Sequence, residues 1–74
     1  MRQLLNVLFI TKPEVYMGLS GENIIIRENN EIIARYPLHN LEGIVSFSNM
    51  GMSPQLMEKC ADQNISVCFL TPTG

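Results

Sequence analysis

The stretch Ile24-Ile25-Ile26-Arg27-Glu28-Asn29-Asn30-Glu31-Ile32-Ile33-Ala34-Arg35-Tyr36 decides how this chain folds. Two runs rich in β-branched residues flank Asn29-Asn30, and Asn tolerates the positive φ that a two-residue hairpin loop demands. With the turn centred there, a regular ladder pairs Glu28 with Glu31, Ile26 with Ile33 and Ile24 with Arg35. One face then carries Ile24, Ile26 and Ile33. The other carries Ile25, Ile32, Ala34 and Tyr36, and Arg27 and Arg35 fall on opposite faces. A hairpin in a small antiparallel sheet ordinarily keeps one wet face. Two apolar faces call for two covers, supplied either by the rest of the chain or by a second molecule.

Outward from the hairpin, the chain reads as short elements. Segment 4–11 is a β-branched and aromatic run expected as one strand, stopped by Lys12-Pro13 because Pro has no ladder donor. Segment 14–19 is expected as a second strand, with a turn at Ser20-Gly21. Pro37 closes the hairpin and 43–48 is a further strand. Ser53-Pro54 is a helix start, with Ser capping the first amides and Pro preorganised at the first helical position. Leu56, Met57, Cys60 and Ala61 form the apolar stripe of that helix, and Gln55, Glu58, Lys59, Asp62 and Gln63 its wet side. Asn64 is a left-handed stop. Segment 65–70 is a last strand, broken by Thr71-Pro72-Thr73-Gly74. The first four strands are expected to be antiparallel, and 43–70 is a strand–helix–strand crossover. The fold class is α+β, a mostly antiparallel sheet domain with a hairpin and one crossover helix, in a single domain over 1–74.

Composition sets limits. The chain has 74 residues, 46% hydrophobic and 16% charged, with net charge −2. It is too short for two domains and too apolar for disorder. No run reaches the roughly 20 apolar residues of a membrane helix. The charge balance excludes a clamp that holds nucleic acid by basicity alone. One core in so short a chain supplies few kcal/mol, so part of the stabilisation is expected from another surface. Cys60 and Cys68 are neither a disulfide framework nor a metal knuckle, and read as reduced thiols of the cytoplasm. No signal peptide follows Met1-Arg2-Gln3-Leu4, and the ending at Pro-Thr-Gly directly after a strand reads as a cut.

Little in the chain points to chemistry. His39 pairs in principle with Glu42 or a thiolate as base and orienter, or simply holds backbone in a turn. No His, Asp, Glu or Cys grouping has metal-ligand spacing. Glu58 and Asp62 are like charges on one helix face. The glycines of Gly18-Leu19-Ser20-Gly21 precede a strand, so the helix N-terminus of a phosphate cradle is missing. From the residues alone this is a non-catalytic domain that wants a partner. The hairpin 23–36 is the expected self-association surface, through Ile24, Ile26, Ile33, Arg35 and Tyr36. A free-standing adaptor module is the rival, and a small enzyme using His39 with Cys60 or Cys68 is a weaker third.

Five segments run in the order and spacing of one family: Leu-Asn-Val-Leu-Phe-Ile-Thr (5–11), Leu-Ser-Gly-Glu-Asn (19–23), Arg-Tyr-Pro-Leu-His-Asn-Leu-Glu-Gly-Ile-Val-Ser-Phe (35–47), Gly-Met-Ser-Pro-Gln-Leu-Met (51–57) and Ile-Ser-Val-Cys-Phe-Leu-Thr-Pro-Thr-Gly (65–74). Across its length the chain resembles the N-terminal β domain of the CRISPR-associated integrase and endonuclease, the "Cas-one" protein, and most of all members accompanying type I-C systems. The resemblance implies a full-length metal-dependent nuclease that inserts captured foreign DNA as spacers. It implies a homodimer joined to a "Cas-two" subunit. The metal ligands, for Mg or Mn, belong to a helical C-terminal domain, so no cofactor and no catalytic residue is carried onto this chain, His39 included. It also implies DNA contact at duplex ends by an aromatic wedge, for which Tyr16 is the nearby candidate, flanked by Lys12 and Arg27. Family members continue past the position of Gly74 into another strand and a linker.

Overall fold

The computed structural model describes residues 2–4 and 6–70. Their order is β1 (Arg2–Leu4), β2 (Val7–Ile10), β3 (Tyr16–Ser20), β4 (Asn23–Glu28), β5 (Glu31–Pro37), β6 (Gly43–Ser46), α1 (Pro54–Asp62) and β7 (Ser66–Phe69). The expected α+β class is what forms. Leu5, within the first expected strand, and the break at 71–74 lie outside the described residues.

The strands divide between two sheets. One is four-stranded in the order β1-β2-β6-β7, and the other is the meander β3-β4-β5. The expected antiparallel set of first strands is corrected here in two ways. Segment 4–11 is not one strand: β1 folds back on β2 as an antiparallel pair. And β2 runs parallel to β6, which runs parallel to β7. Parallel neighbours need a long connection. The whole meander supplies it between β2 and β6, and α1 supplies it between β6 and β7.

Helix α1 forms as its sequence dictates. The Ser53 hydroxyl accepts the Leu56 N–H at 3.2 Å, and Pro54 opens the first turn. Asn64, at φ 58°, reverses the chain so that Ile65 N–H reaches the Cys60 carbonyl at 2.8 Å. The helix buries Leu56 and Cys60 and leaves Met57 and Ala61 outside. Leu56 and Cys60 share one buried core with Leu8, Ile10 and Ile44 of the larger sheet, Met17, Ile24 and Ile26 of the meander, and Leu38, Leu41 and Met52 of the connections.

The hairpin turn forms where expected, with Asn29 at φ 53° and Asn30 at φ 66°. Its register does not follow the regular ladder. Glu28 pairs with Glu31 and Arg27 with Ile32, but Ile26 pairs with Ala34, Ile25 with Arg35 and Ile24 with Tyr36. Ile33 is the extra residue of a β-bulge. Because side chains alternate with period two, one inserted residue exchanges the faces of everything beyond it. Ala34 and Tyr36 therefore pack onto the core beside Ile24 and Ile26, and Arg35 turns to the outer face with Arg27. The expected pairings Ile26–Ile33 and Ile24–Arg35, and the placement of the two arginines on opposite faces, are corrected by this bulge.

On that outer face Gly18 stands opposite Ile25. A Cβ at Gly18 would lie 3.3 Å from Ile25 Cγ1, so the glycine leaves room for the isoleucine, which is only 3% exposed on this face. The other edge of β3 is tied to the loop before α1, with Met17 N–H donating to the Gly51 carbonyl at 3.2 Å and Ser53 N–H to the Met17 carbonyl at 2.9 Å. Gly51 takes φ 81°, where a side chain would be strained.

Replacing the fully buried Leu56 by Ala should destabilise the chain by about 2–5 kcal/mol through lost transfer energy and the cavity left behind. Ser53→Ala should cost about 1 kcal/mol by removing the cap. Urea unfolding would read both as a lower midpoint at unchanged slope.

Candidate nucleic-acid interface

The meander's outer face and the β2–β3 loop bring Lys12, Tyr16 and Arg27 to one end of the molecule. Tyr16 on β3 is the cross-strand partner of Arg27 on β4. Both wall a groove of about 600 Å³ completed by Glu14, Asn29, Asn30 and Met50. A second groove, of about 350 Å³, runs on the other side of the same pair over Gly18 and Ile25 to Ser53 and Gln55. Lys12 lies close by, but its ammonium is held by Glu28 at 3.4 Å.

A buried serine fixes the loops around this end. The Ser48 hydroxyl lies within hydrogen-bond reach of the carbonyls of Val15 and Pro13, the latter at 3.2 Å, and accepts the Met50 N–H at 3.1 Å. Asn49 N–H donates to the Pro13 carbonyl at 3.0 Å. The strand entering at Tyr16 and the exposed Met50 are thus set relative to each other by one side chain. Sequence reading missed Ser48, because nothing in Ser-Phe-Ser-Asn-Met marks which hydroxyl is buried.

Of the residues expected at a self-association surface, Ile24 and Ile26 are fully buried in the core, and Tyr36 is half-buried against it. Ile33 and Arg35 are exposed on β5. These five residues do not share one exposed face. Further exposed apolar side chains are elsewhere. At the junction of α1 and β7, Met57 is 50% exposed, Phe69 44% and Leu70 42%. Met57 and Phe69 flank a shallow groove floored by Met52, Cys60, Ile65 and Val67.

Among the described residues the titratable side chains form no catalytic constellation. His39 stands exposed in the turn closed by Leu41 N–H to the Leu38 carbonyl at 3.0 Å. Glu42, its possible orienter, accepts instead from the Asn6 amide at 2.8 Å. Cys60 is buried on the core face of α1, and desolvation pushes its thiol up from the ordinary value, away from the nucleophilic thiolate. Glu22 is held below the usual carboxylate range by its hydrogen bond from Lys59 at 3.0 Å and then by the lysine's charge. Among the described residues no three His, Cys, Asp or Glu side chains gather as a ligand set. The described residues therefore do not fit the Mg or Mn that the family resemblance implies, and no chemical step is assigned to them.

The described residues thus form an α+β domain with Tyr16 and Arg27 paired on one sheet face and exposed apolar side chains beside α1 and β7. Comparison with known proteins makes this specific. Residues 8–74 match the family described as "CRISPR associated protein Cas1". The chain belongs to that family and corresponds to its N-terminal β domain.

The "CRISPR-associated endonuclease Cas1 1" of Chlorobaculum tepidum is 39% identical over 74 residues, which is 100% of this chain and 22% of that protein. The "CRISPR-associated endonuclease Cas1 2" of Rhodospirillum rubrum is 31% identical over the same span, again 22% of its length. The chain thus spans about a fifth of the curated relatives it matches. Among solved structures, a chain of the "Cas6-RT-Cas1--Cas2 complex" superposes with TM-score 0.84 at 16% identity, over 92% of this chain and 8% of that one. At that identity the likeness speaks for the fold.

The two thiols should differ in reactivity. Exposed Cys68 should label with a thiol reagent at once, whereas buried Cys60 should label only as fast as the chain unfolds. Equal rates in the native chain, read by mass spectrometry, would contradict this packing of α1.

Proposed function

We propose that this chain is the dimerisation and scaffold domain of a CRISPR-associated endonuclease and integrase, acting in spacer acquisition to insert foreign DNA into the CRISPR array. Its role is antiviral defence in the cytoplasm. The observation that carries the reading is the end-to-end match to about a fifth of a named endonuclease. In this reading the divalent-metal chemistry belongs to the remainder of the longer protein. The chain alone neither cleaves nor integrates. It positions catalytic domains on DNA, beside a Cas2-type subunit, and Tyr16, Arg27 and Lys12 lie at the DNA-contacting end.

Self-association is assigned to the patch of Met57, Phe69 and Leu70. It is apolar, Met57 and Phe69 line one groove, and it flanks β7, which has no hydrogen-bonded neighbour on its outer side among the described strands. Such an edge offers both backbone partners and buried area to a second copy. The hairpin is the alternative surface, because Ile32 and Ile33 are 49% and 39% exposed.

Sedimentation equilibrium should show a dimer of the native chain, a monomer after Met57→Glu with Phe69→Asp, and a retained dimer after Ile33→Asp. Dissociation by Ile33→Asp alone would move the interface to the hairpin. A native chain that stays monomeric at high concentration would end the scaffold reading, and metal-dependent DNA cleavage by the purified chain would end the non-catalytic one.

A further inference from the structure

We propose that the polar cleft at the C-terminal end of α1 is a socket for an arginine side chain of a partner protein, with the Glu42 carboxylate as its ion-pair partner. This goes beyond the scaffold reading and does not depend on the DNA contact.

The cleft has a volume of about 430 Å³ and is walled by Asn6, Asn40, Glu42 and Gln63 around the buried Leu38 and Leu41. The topology gathers these residues. Asn6 directly precedes β2 and Glu42 directly precedes β6, and the two strands run parallel, so both residues stand at one end of the larger sheet. Gln63 caps the C-terminus of α1, where the crossover has returned the chain to that same end. Asn40, at φ 67°, joins them from the turn that Leu41 N–H closes on the Leu38 carbonyl.

Glu42 is fixed at three points. Its N–H donates to the Asn6 carbonyl at 2.7 Å, and its own carbonyl accepts the Ser66 N–H at 3.0 Å. One carboxylate oxygen, Oε2, accepts the Asn6 side-chain amide at 2.8 Å. Among the described residues no cation makes a salt bridge to it. Lys59, in the last turn of α1, is turned instead to Glu22 at 3.0 Å. Arg2 pairs with Phe9, at the end of β1 away from Asn6, and Arg27 and Arg35 lie on the outer face of the meander. The cleft therefore holds a carboxylate that is oriented but not neutralised, beside the negative end of a helix dipole.

What the cleft accepts follows from these groups. Each carboxylate oxygen has two lone pairs, so Glu42 keeps room for two further donors beside the Asn6 amide. Asn40 and Gln63 bring amide oxygens to the same cleft. A guanidinium presents five donors in a planar fork that meets a carboxylate bidentately, whereas an ammonium is a compact and strongly hydrated point charge. An anion is opposed by Glu42 and by the helix end. A base or sugar ring would want an aromatic platform, and no aromatic side chain lines this cleft.

The test is a titration of the isotopically labelled chain with N-acetyl-arginine amide, followed by amide chemical shifts. Saturable shifts should appear at the side-chain amides of Asn6 and Gln63 and at the backbone of Glu42 and Gly43, with a Kd in the millimolar range. N-acetyl-lysine amide should bind about fivefold more weakly. Glu42→Gln should weaken the arginine compound about tenfold. Asn6→Ala should weaken it about threefold by releasing the carboxylate that the amide orients. Glu58→Gln removes the same charge from the wet face of α1 and should change nothing.

Absence of saturable shifts at these amides would overturn the socket, as would equal binding of the lysine compound. Equal weakening by Glu58→Gln would reduce the effect to net charge. The same shifts with calcium ion at lower concentration would make the cleft a metal site instead. Shifts that appear on concentrating the chain alone, and vanish with Arg35→Gln, would give the socket to a second copy rather than to a partner protein.

Discussion

The constraint on which the rest depends is that the meander must dry one face on the core while its turn is fixed by Asn29 and Asn30. Ile24 and Ile26 reach the core that α1 and the larger sheet create around Leu8, Ile10, Ile44 and Leu56. The strand opposite them, β5, offers Ile33 and Arg35 in a regular register. Burying an arginine beside Ile24 without a partner would cost several kcal/mol. Bulging at Ile33 avoids this by presenting Ala34 and Tyr36 instead. A single unpaired residue thus completes the core and assembles the arginine face together.

Much of the fold was legible because it is written in local chemistry. The Asn-Asn turn, the Ser53 cap, Pro54 and the Asn64 stop each specify backbone geometry within a few residues, and each element forms there. The pairing partners were not legible. Nothing in segment 4–11 distinguishes one strand from two joined by a turn, and parallel pairing of β2 with β6 is a property of the tertiary fold rather than of either strand. The bulge escaped for a related reason. Alternation in Glu-Ile-Ile-Ala-Arg-Tyr is ambiguous, since both parities contain isoleucine, and only the core decides which parity is buried.

The candidate surfaces follow the same division. Tyr16 and Arg27 entered as candidates through the family resemblance, and they lie together as strand partners. Arg35 was found as a residue but assigned to a self-association surface, because its face depended on the register. Met57 was read into the apolar stripe of the helix, for a stripe at helical spacing does not reveal how wide its covering sheet is. The narrow β7 edge leaves the outer part of that stripe open.

The most direct measurement is the hairpin register in solution, by cross-strand nuclear Overhauser effects in the isotopically labelled chain. The expected result is contacts pairing Ile26 with Ala34 and Ile24 with Tyr36, with Ile33 opposite no single residue. Contacts pairing Ile26 with Ile33 and Ile24 with Arg35 would contradict it, returning the two arginines to opposite faces and dissolving the surface they are held to form.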